Sequence, residues 1–251
     1  MRIRIVLALE NIALPIDYHS SLVGVIYNML PINDETKNLH NNGEILNKRK
    51  YKLFTFSELY GPSTYIEKTK QLLFSGNGCF DVTSFKEEML INILFYLENN
   101  KTIMLKNNII KVVKYDILND TLDTKKEKTY YTVSPITIYK TIEKKNYFYK
   151  PTDEEFKEKI INNLASKYYL CYKKNMPELE ITSFDRIKRK IVKFRKTSYE
   201  AYHLTISFSK LTSEIQNVIM TCGLGPKNSL GFGMVSIKKW KKEFIYLNLV
   251  I

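Results

Sequence analysis

A chain of 251 residues is long enough for one large domain or two small ones with ordinary cores, and its 44% hydrophobic, 13% aromatic and 26% charged composition excludes a disordered protein. A formal charge of +13 makes polyanions, nucleic acid above all, the leading class of partner. The excess is lopsided: residues 1–122 hold 14 basic and 13 acidic side chains, residues 123–251 hold 25 and 13, and a merely lysine-rich composition would not divide so.

Arg2 to Leu9 places Ile3, Ile5 and Leu7 at the period of a half-buried strand. Leu22, Val23, Ile26, Tyr27 and Leu30 recur at helical spacing behind the candidate caps Asp17 and Ser20, and Pro31 closes that helix. Residues 31–50 read as a long polar loop, and Lys52 to Ser57 as a strand. Gln71 to Ser75 and Cys79 to Thr83 flank Gly76-Asn77-Gly78, which predicts a hairpin. Ser84 and Glu87 have the spacing of a capping box opening a helix to about Leu97, and Ile109 to Leu118 reads as the next strand. The order β-α-β-β-α-β is that of a ferredoxin-like unit.

Asn119 to Lys128 is polar and charged and reads as a linker between a first domain, 1–120, and a second, 121–251. The second begins with an apolar strand from Tyr130 to Tyr139. A helix follows, opened by Thr152 or Asp153, with Phe156, Ile160, Leu164 and Tyr168 on one face. Two basic strands around Glu178 to Lys196, a strand from Tyr202 to Ser209, a helix from Thr212 to Met220 and a last strand from Phe232 to Lys239 complete the outline. The expected fold class is α+β, two tandem ferredoxin-like (RRM-like) domains with a glycine-rich loop near the end.

That loop spans 223–233 and holds four of the nine glycines: Gly223, Gly225, Gly231 and Gly233. Residues without a Cβ let backbone amides approach a phosphate closely, and Lys227, Asn228 and Ser229 add a cation and hydrogen-bonding groups. A hairpin whose glycines only solve a packing problem is the alternative. The run fits neither the Walker spacing nor a dinucleotide fingerprint, which would follow the first strand, so ATPase and dehydrogenase readings fall away. Arg186, Lys188, Arg189, Lys190, Lys193, Arg195 and Lys196 put seven cations in eleven residues, interleaved with Ile187, Ile191, Val192 and Phe194. In a strand such alternation would anchor an apolar face in the core and present the cations to a phosphate backbone.

Of the three histidines, His40 in the polar loop is the best acid or base candidate, whereas His203 in a strand pattern and His19 at a helix start read as structural. Cys79, Cys171 and Cys222 are widely spaced and read as reduced, buried thiols. No residue pair has metal-ligand spacing, so neither metal nor cofactor is expected. No signal peptide or long apolar span is visible, which predicts a soluble, cytoplasmic chain without membrane contact.

The run from Leu224 to Val235 resembles the glycine-rich loop of the RAMP superfamily, and specifically the CRISPR repeat-RNA endoribonucleases, the sixth Cas protein family. The likeness extends to Gly24-Val-Ile-Tyr27-Asn28, to Lys52-Leu-Phe-Thr-Phe-Ser57 and to Val133-Ser-Pro-Ile136. It implies two tandem ferredoxin-like domains and an active site of a histidine after the first helix, a tyrosine within it and a lysine opening the next strand. Here these fall on His40, Tyr27 and Lys52; the stretch between His40 and Lys52 is longer than in the family pattern. The implied reaction needs no metal: the ribose 2′-hydroxyl attacks its neighbouring phosphate, leaving a 2′,3′-cyclic phosphate and a 5′-hydroxyl. His40 would serve as general acid or base, Tyr27 as its partner at the 2′-hydroxyl, with those two roles exchangeable, and Lys52 as charge stabiliser. The implied partners are CRISPR repeat RNA and other effector-complex subunits, with the protein a monomer or homodimer. A catalytically silent RAMP-type RNA-binding subunit would share the loop and the charge.

Overall fold

A computed structural model describes residues 1–41, 43–119 and 126–237, without the side chains of Glu35 and His40. The first half runs β1 (Arg2–Leu7), β2 (Ala13–Pro15), α1 (His19–Asn28), α2 (Asp34–Asn41), β3 (Glu44–Leu46), β4 (Arg49–Tyr51), β5 (Phe54–Phe56), β6 (Ser63–Ile66), β7 (Gln71–Phe74), β8 (Gly78–Ser84), α3 (Glu87–Asn99), β9 (Thr102–Leu105) and β10 (Asn108–Leu118). The second runs β11 (Lys128–Thr132), β12 (Tyr139–Ile142), β13 (Lys145–Phe148), α4 (Glu154–Tyr172), β14 (Glu180–Phe194), β15 (Thr197–Ser209), α5 (Ser213–Cys222), a 3-10 turn over Asn228–Leu230 and β16 (Val235–Ser236). The fold is α+β with antiparallel pairing, as the alternation of short strands with helices predicts. The main sheets have the orders β5-β8-β1-β10-β9 and β14-β15-β11-β16.

Ile3, Ile5 and Leu7 of β1 join Leu22 and Ile26 of α1 and Leu90 and Ile93 of α3 in one core. The predicted stripe of α4, Phe156, Ile160, Leu164 and Tyr168, lies in a second core with β15 and α5. Tyr51 and Leu53 reach this second core from the first half, so the two halves share packing directly behind β5. No helix among the described residues is long and apolar enough to cross a membrane.

Several local expectations change. The polar stretch 31–50 is not a loop. Asn33 and Thr36 cap each other, Oδ1 of Asn33 accepting from the Thr36 amide at 2.8 Å and Oγ1 of Thr36 from the Asn33 amide at 3.1 Å, and this box opens α2. Asn47 and Lys48, both with positive φ, then turn β3 into β4. The expected hairpin across Gly76-Asn77-Gly78 does not form: β7 pairs with β2 and β6, while β8, buried along its length, has both edges taken by β1 and β5. The expected capping box at Ser84 is also absent. Ser84 ends β8 and donates to the Leu53 carbonyl, and Lys86 is the N-cap of α3.

The strand expected from Tyr130 to Tyr139 is broken after Thr132, because Pro135 offers no N–H to a ladder. The two basic strands are one long strand, β14, hairpinned to β15 and bulged between Asp185 and Lys188, where Arg186 takes positive φ. The last expected strand shrinks to β16, since Phe232 to Met234 belong to the loop and residues 238 and 239 lie outside the described ones, and the expected linker falls largely outside them at 120–125.

Candidate active site and nucleic-acid interface

Tyr27 sits in the last turn of α1 and Lys52 between β4 and β5, and the fold brings them together. Lys52 Nζ donates to Tyr27 Oη at 2.8 Å and lies 5.0 Å from the centre of its ring. Leu53 makes this meeting possible: its backbone has φ of 50°, a left-handed conformation that costs a branched side chain about 1–2 kcal/mol. The reversal sends Leu53 into the second core and Phe54 into the first, and turns Lys52 toward Tyr27. Burial pushes the Tyr27 phenol well above its ordinary pKa. Burial, aided by the neighbouring charge of Lys50, lowers that of Lys52. The pair is therefore a polarised O–H donor backed by a cation, suited to an oxyanion rather than to proton abstraction.

His40 lies in the last turn of α2, on a helix rather than in a loop. The end of that helix is held close to Lys52. Lys50 Nζ donates to the Asn41 carbonyl at 3.1 Å, the Gly43 amide donates to the Asn38 carbonyl at 2.9 Å, and a Cβ on Gly43 would lie 3.2 Å from Lys52 Cγ. An open cleft beside them is lined by Thr36, Asn38, Leu39, Lys52 and Lys86.

The glycine-rich loop packs against the same region. A Cβ on Gly231 would come within 2.7 Å of the Phe56 ring just beyond Lys52, and Thr55 Oγ1 donates to the Phe232 carbonyl at 3.1 Å. Gly233 has φ of 72°, and a Cβ there would stand 1.9 Å from the Leu224 carbonyl oxygen. The amides of Gly223, Gly231 and Gly233 donate to Ile219, Asn228 and Pro135, inside the fold. Asn228 is buried, its side-chain amide donating to Leu224 and Phe232 at 3.1 and 2.9 Å. These glycines and Asn228 shape the loop, so the expectation that glycine amides meet phosphate does not suit those three. Gly225 is buried beside Ile136 and Ile138, while Lys227 and Ser229 are partly exposed. Lys227 Nζ stands 5.9 Å from the Tyr139 ring centre. Asn228→Ala, which strands two buried carbonyls, should cost about 2–3 kcal/mol of stability in urea unfolding.

Beneath the loop lies a residue that sequence reasoning missed. Lys167, buried on α4, donates to the carbonyls of Gly223 at 2.7 Å and Gly225 at 2.9 Å, and burial lowers its pKa to about 7. Its place one turn beyond Leu164, on the apolar stripe, was the available signal.

On the basic hairpin the expected alternation holds only in part. Val192 is buried and Phe194 packs against the same small core, whereas Ile187 and Ile191 are exposed alongside the cations, beyond the bulge at Arg186. Two of the seven cations are engaged within the protein: Lys190 Nζ lies 2.6 Å from Glu58 Oε1, and Arg189 2.9 Å from Glu200. Arg186, Lys188, Lys193, Arg195 and Lys196 are exposed. Glu58, which no motif singled out, is buried at the junction of the halves, where His203 Nε2 approaches it at 3.1 Å and His19 Nε2 at 3.5 Å. Burial alone would raise the Glu58 pKa; the nearby imidazole of His19, the hydrogen bond of His203 and the charge of Lys190 outweigh it and hold the carboxyl well below the usual carboxylate range. His19 and His203 thus have structural places.

Residues 118–237 match the family model described as CRISPR associated protein Cas6, C-terminal. Two curated relatives from Methanocaldococcus jannaschii are named CRISPR-associated endoribonuclease Cas6. One is 29% identical over 94% of this chain and 92% of its own length, the other 26% identical over 77% and 84%. A solved structure described as CRISPR associated protein Cas6 superposes with a TM-score of 0.73 at 28% identity, covering 95% of this chain and 99% of that one. A structure of a Cas6-related gene product from Pyrococcus furiosus has the same fold, with a TM-score of 0.81 at 20% identity over 96% and 99% of the two chains. The matched segment and the fold are those of CRISPR-associated proteins. Within that class, the chain is similar over nearly its whole length to proteins of the Cas6 family.

Proposed function

We propose that this protein is a metal-independent endoribonuclease that cuts CRISPR repeat RNA by attack of a 2′-hydroxyl on the adjacent phosphate, leaving a 2′,3′-cyclic phosphate and a 5′-hydroxyl. The observation that carries the reading is the 2.8 Å contact of Lys52 with Tyr27 beside the end of the helix that bears His40. Lys52 and the Tyr27 hydroxyl face the phosphorane oxygens, and His40 moves the proton. A raised phenol pKa makes Tyr27 a poor base, which favours His40 for that role. Imidazole, with an ordinary pKa of about 6.5, exchanges a proton readily near neutrality.

Two tandem ferredoxin-like domains, 1–120 and 121–251, carry the chemistry and most of the RNA grip respectively. The strand orders β5-β8-β1-β10 and β14-β15-β11-β16 support this division, each being second, third, first, fourth within its unit. RNA lies across Arg186, Lys188, Lys193, Arg195 and Lys196, and reaches the catalytic pair past Lys227 and Ser229. Lys190 and Arg189 hold the hairpin in place through Glu58 and Glu200.

Cleavage of a cognate repeat RNA in EDTA, giving products that end in a cyclic phosphate, is the expected result. A single 2′-deoxy sugar just 5′ of the cut should abolish it. Cleavage that survives this substitution rules out the 2′-hydroxyl mechanism, and His40→Ala cleaving at the wild-type rate rules out the histidine. Tight, salt-sensitive binding without product would identify a silent RNA-binding subunit instead.

A further inference from the structure

Cys171 and Cys222, 51 positions apart in sequence, meet under the glycine-rich loop with Sγ to Sγ at 4.0 Å. Wide spacing had marked them as isolated thiols; the packing of α4 on α5 makes them a pair. Cys222 is the last residue of α5, running directly into Gly223, and Cys171 is the penultimate residue of α4. At helix ends a small rotation is cheap, because the last carbonyls have no intrahelical partner to lose. Cys222 is fully buried, its sulfur 3.7 Å from Thr221 Oγ1 and 3.8 Å from the Leu53 carbonyl. Cys171 is only half-buried, which makes it the outer of the two residues. Lys167 lies one helical turn before Cys171 and supplies positive charge to both sulfurs.

We propose that Cys171 and Cys222 are an oxidisable dithiol, a modification site at which a low-molecular-weight disulfide closes an internal bridge between the ends of α4 and α5. Bridging requires the sulfurs to approach from 4.0 Å to about 2.05 Å, a shift that side-chain rotation at two helix ends can supply. Cys171 passes its thiol proton to the Cys222 thiolate across their shared contact and attacks the disulfide RSSR, forming Cys171–S–SR and releasing RS⁻. That thiolate takes the proton back from Cys222 Sγ and leaves as RSH. The Cys222 thiolate so regenerated attacks Cys171 Sγ, forming the internal bond and expelling RS⁻, which takes from water the proton that the pair had given up and leaves as a second RSH. In sum, two protein thiols and RSSR become one protein disulfide and two RSH, with the protein oxidised and RSSR reduced.

The electrostatics favour this division of labour. Burial opposes a Cys222 thiolate, but the Cys171 thiol and the Lys167 charge outweigh it and lower its pKa, whereas the contact with Cys222, burial and the repulsion of that thiolate raise the pKa of Cys171. One thiolate shared by the pair is thus held on the inner sulfur, ready to resolve a mixed disulfide formed on the outer one. Cys79, buried and hydrogen-bonded in neither helix, has its pKa raised by burial to about 12 and has no part in the bridge.

Incubating the folded, full-length protein with oxidised glutathione and reading intact and peptide masses tests this. The expected product is lighter than the starting protein by two hydrogens, yields a peptide linking Cys171 to Cys222, leaves Cys79 as the one thiol alkylated after unfolding in urea, and reverts with dithiothreitol. Cys222→Ala should stop at one glutathione on Cys171. If that variant proves unstable, Cys171→Ser, changed at a half-exposed site, should leave Cys222 unmodified and form no bridge. The oxidised wild type should also unfold at higher urea than the reduced form, since the bridge restricts the unfolded chain. A stable glutathione adduct on wild-type Cys171, a bridge through Cys79, or two thiols that stay alkylatable overturns the proposal.

Discussion

Replacing Lys52 with alanine should slow single-turnover cleavage of repeat RNA about 10²–10³-fold, the usual loss for one preorganised donor to a developing oxyanion. RNA affinity should change far less, because one cation among many phosphate contacts carries a small share of binding. The reason for the split lies in the geometry of the pair. Lys52 is held by Tyr27 at 2.8 Å and by the reversal at Leu53, so its charge is aimed before RNA arrives. Tyr27→Phe should cost less, because the ammonium remains, although it loses its tether. The two effects should be non-additive in the double variant, since each residue positions the other. Because burial and Lys50 depress the Lys52 pKa, the rate should fall with rising pH earlier than an ordinary lysine near 10.5 would dictate. Equal losses of binding and rate in Lys52→Ala would instead make Lys52 a simple phosphate anchor.

What the sequence discloses about this site, and what it hides, follows from range. The stripe Phe156, Ile160, Leu164 and Tyr168 was readable because a helix writes its buried face at a fixed local period, and all four are buried. The glycine cluster was equally plain, yet its meaning was not: whether an amide faces a phosphate or its own loop depends on Pro135, Asn228 and Phe56, far away in sequence or hidden in the loop's own turn. Local rules also competed. The Ser84 hydroxyl donates to Leu53 at the end of β8 and accepts from the Lys86 amide at 3.0 Å, which places the start of α3 at Lys86 and leaves no capping box with Glu87. The basic run read as a half-buried strand because its Ile and Val alternate with cations, but beyond the bulge at Arg186 Ile187 and Ile191 stand in solvent while Val192 is buried. Tyr27 and Lys52 came from the family likeness, not from periodicity; their meeting depends on a left-handed leucine that no propensity would place there. Lys167, Glu58 and the Cys171–Cys222 pair are tertiary facts with almost no local signal.

Glu58→Gln should destabilise the protein by about 3 kcal/mol, the lower end of the range for removing one partner of a buried ion pair. For a domain of this size that corresponds to a melting temperature lower by roughly 6–12 °C. The lower end applies because Lys190 is 42% exposed, so water already screens that arm, and because glutamine can keep one hydrogen bond. The groups facing the carboxylate are His19 from α1, Lys190 from β14 and His203 from β15, with Tyr18 behind them. They come from both halves, so the loss is one of docking as much as of local order. The folded-state pKa of Glu58 is depressed, so its contribution is complete above the unfolded value near 4.5 and disappears as pH falls through the lower folded value. The gap in unfolding free energy between wild type and Glu58→Gln should therefore be widest near neutrality and close as the solution is acidified below pH 4.5. A gap that persists there would mean glutamine disturbs the packing rather than the charge. Lys190 gives the same conclusion a functional edge: freed from Glu58, it adds a cation to the exposed hairpin while loosening the hairpin's footing. RNA affinity in Glu58→Gln should thus fall even though the net positive charge rises, because a phosphate backbone is gripped by cations held in register, not by their number.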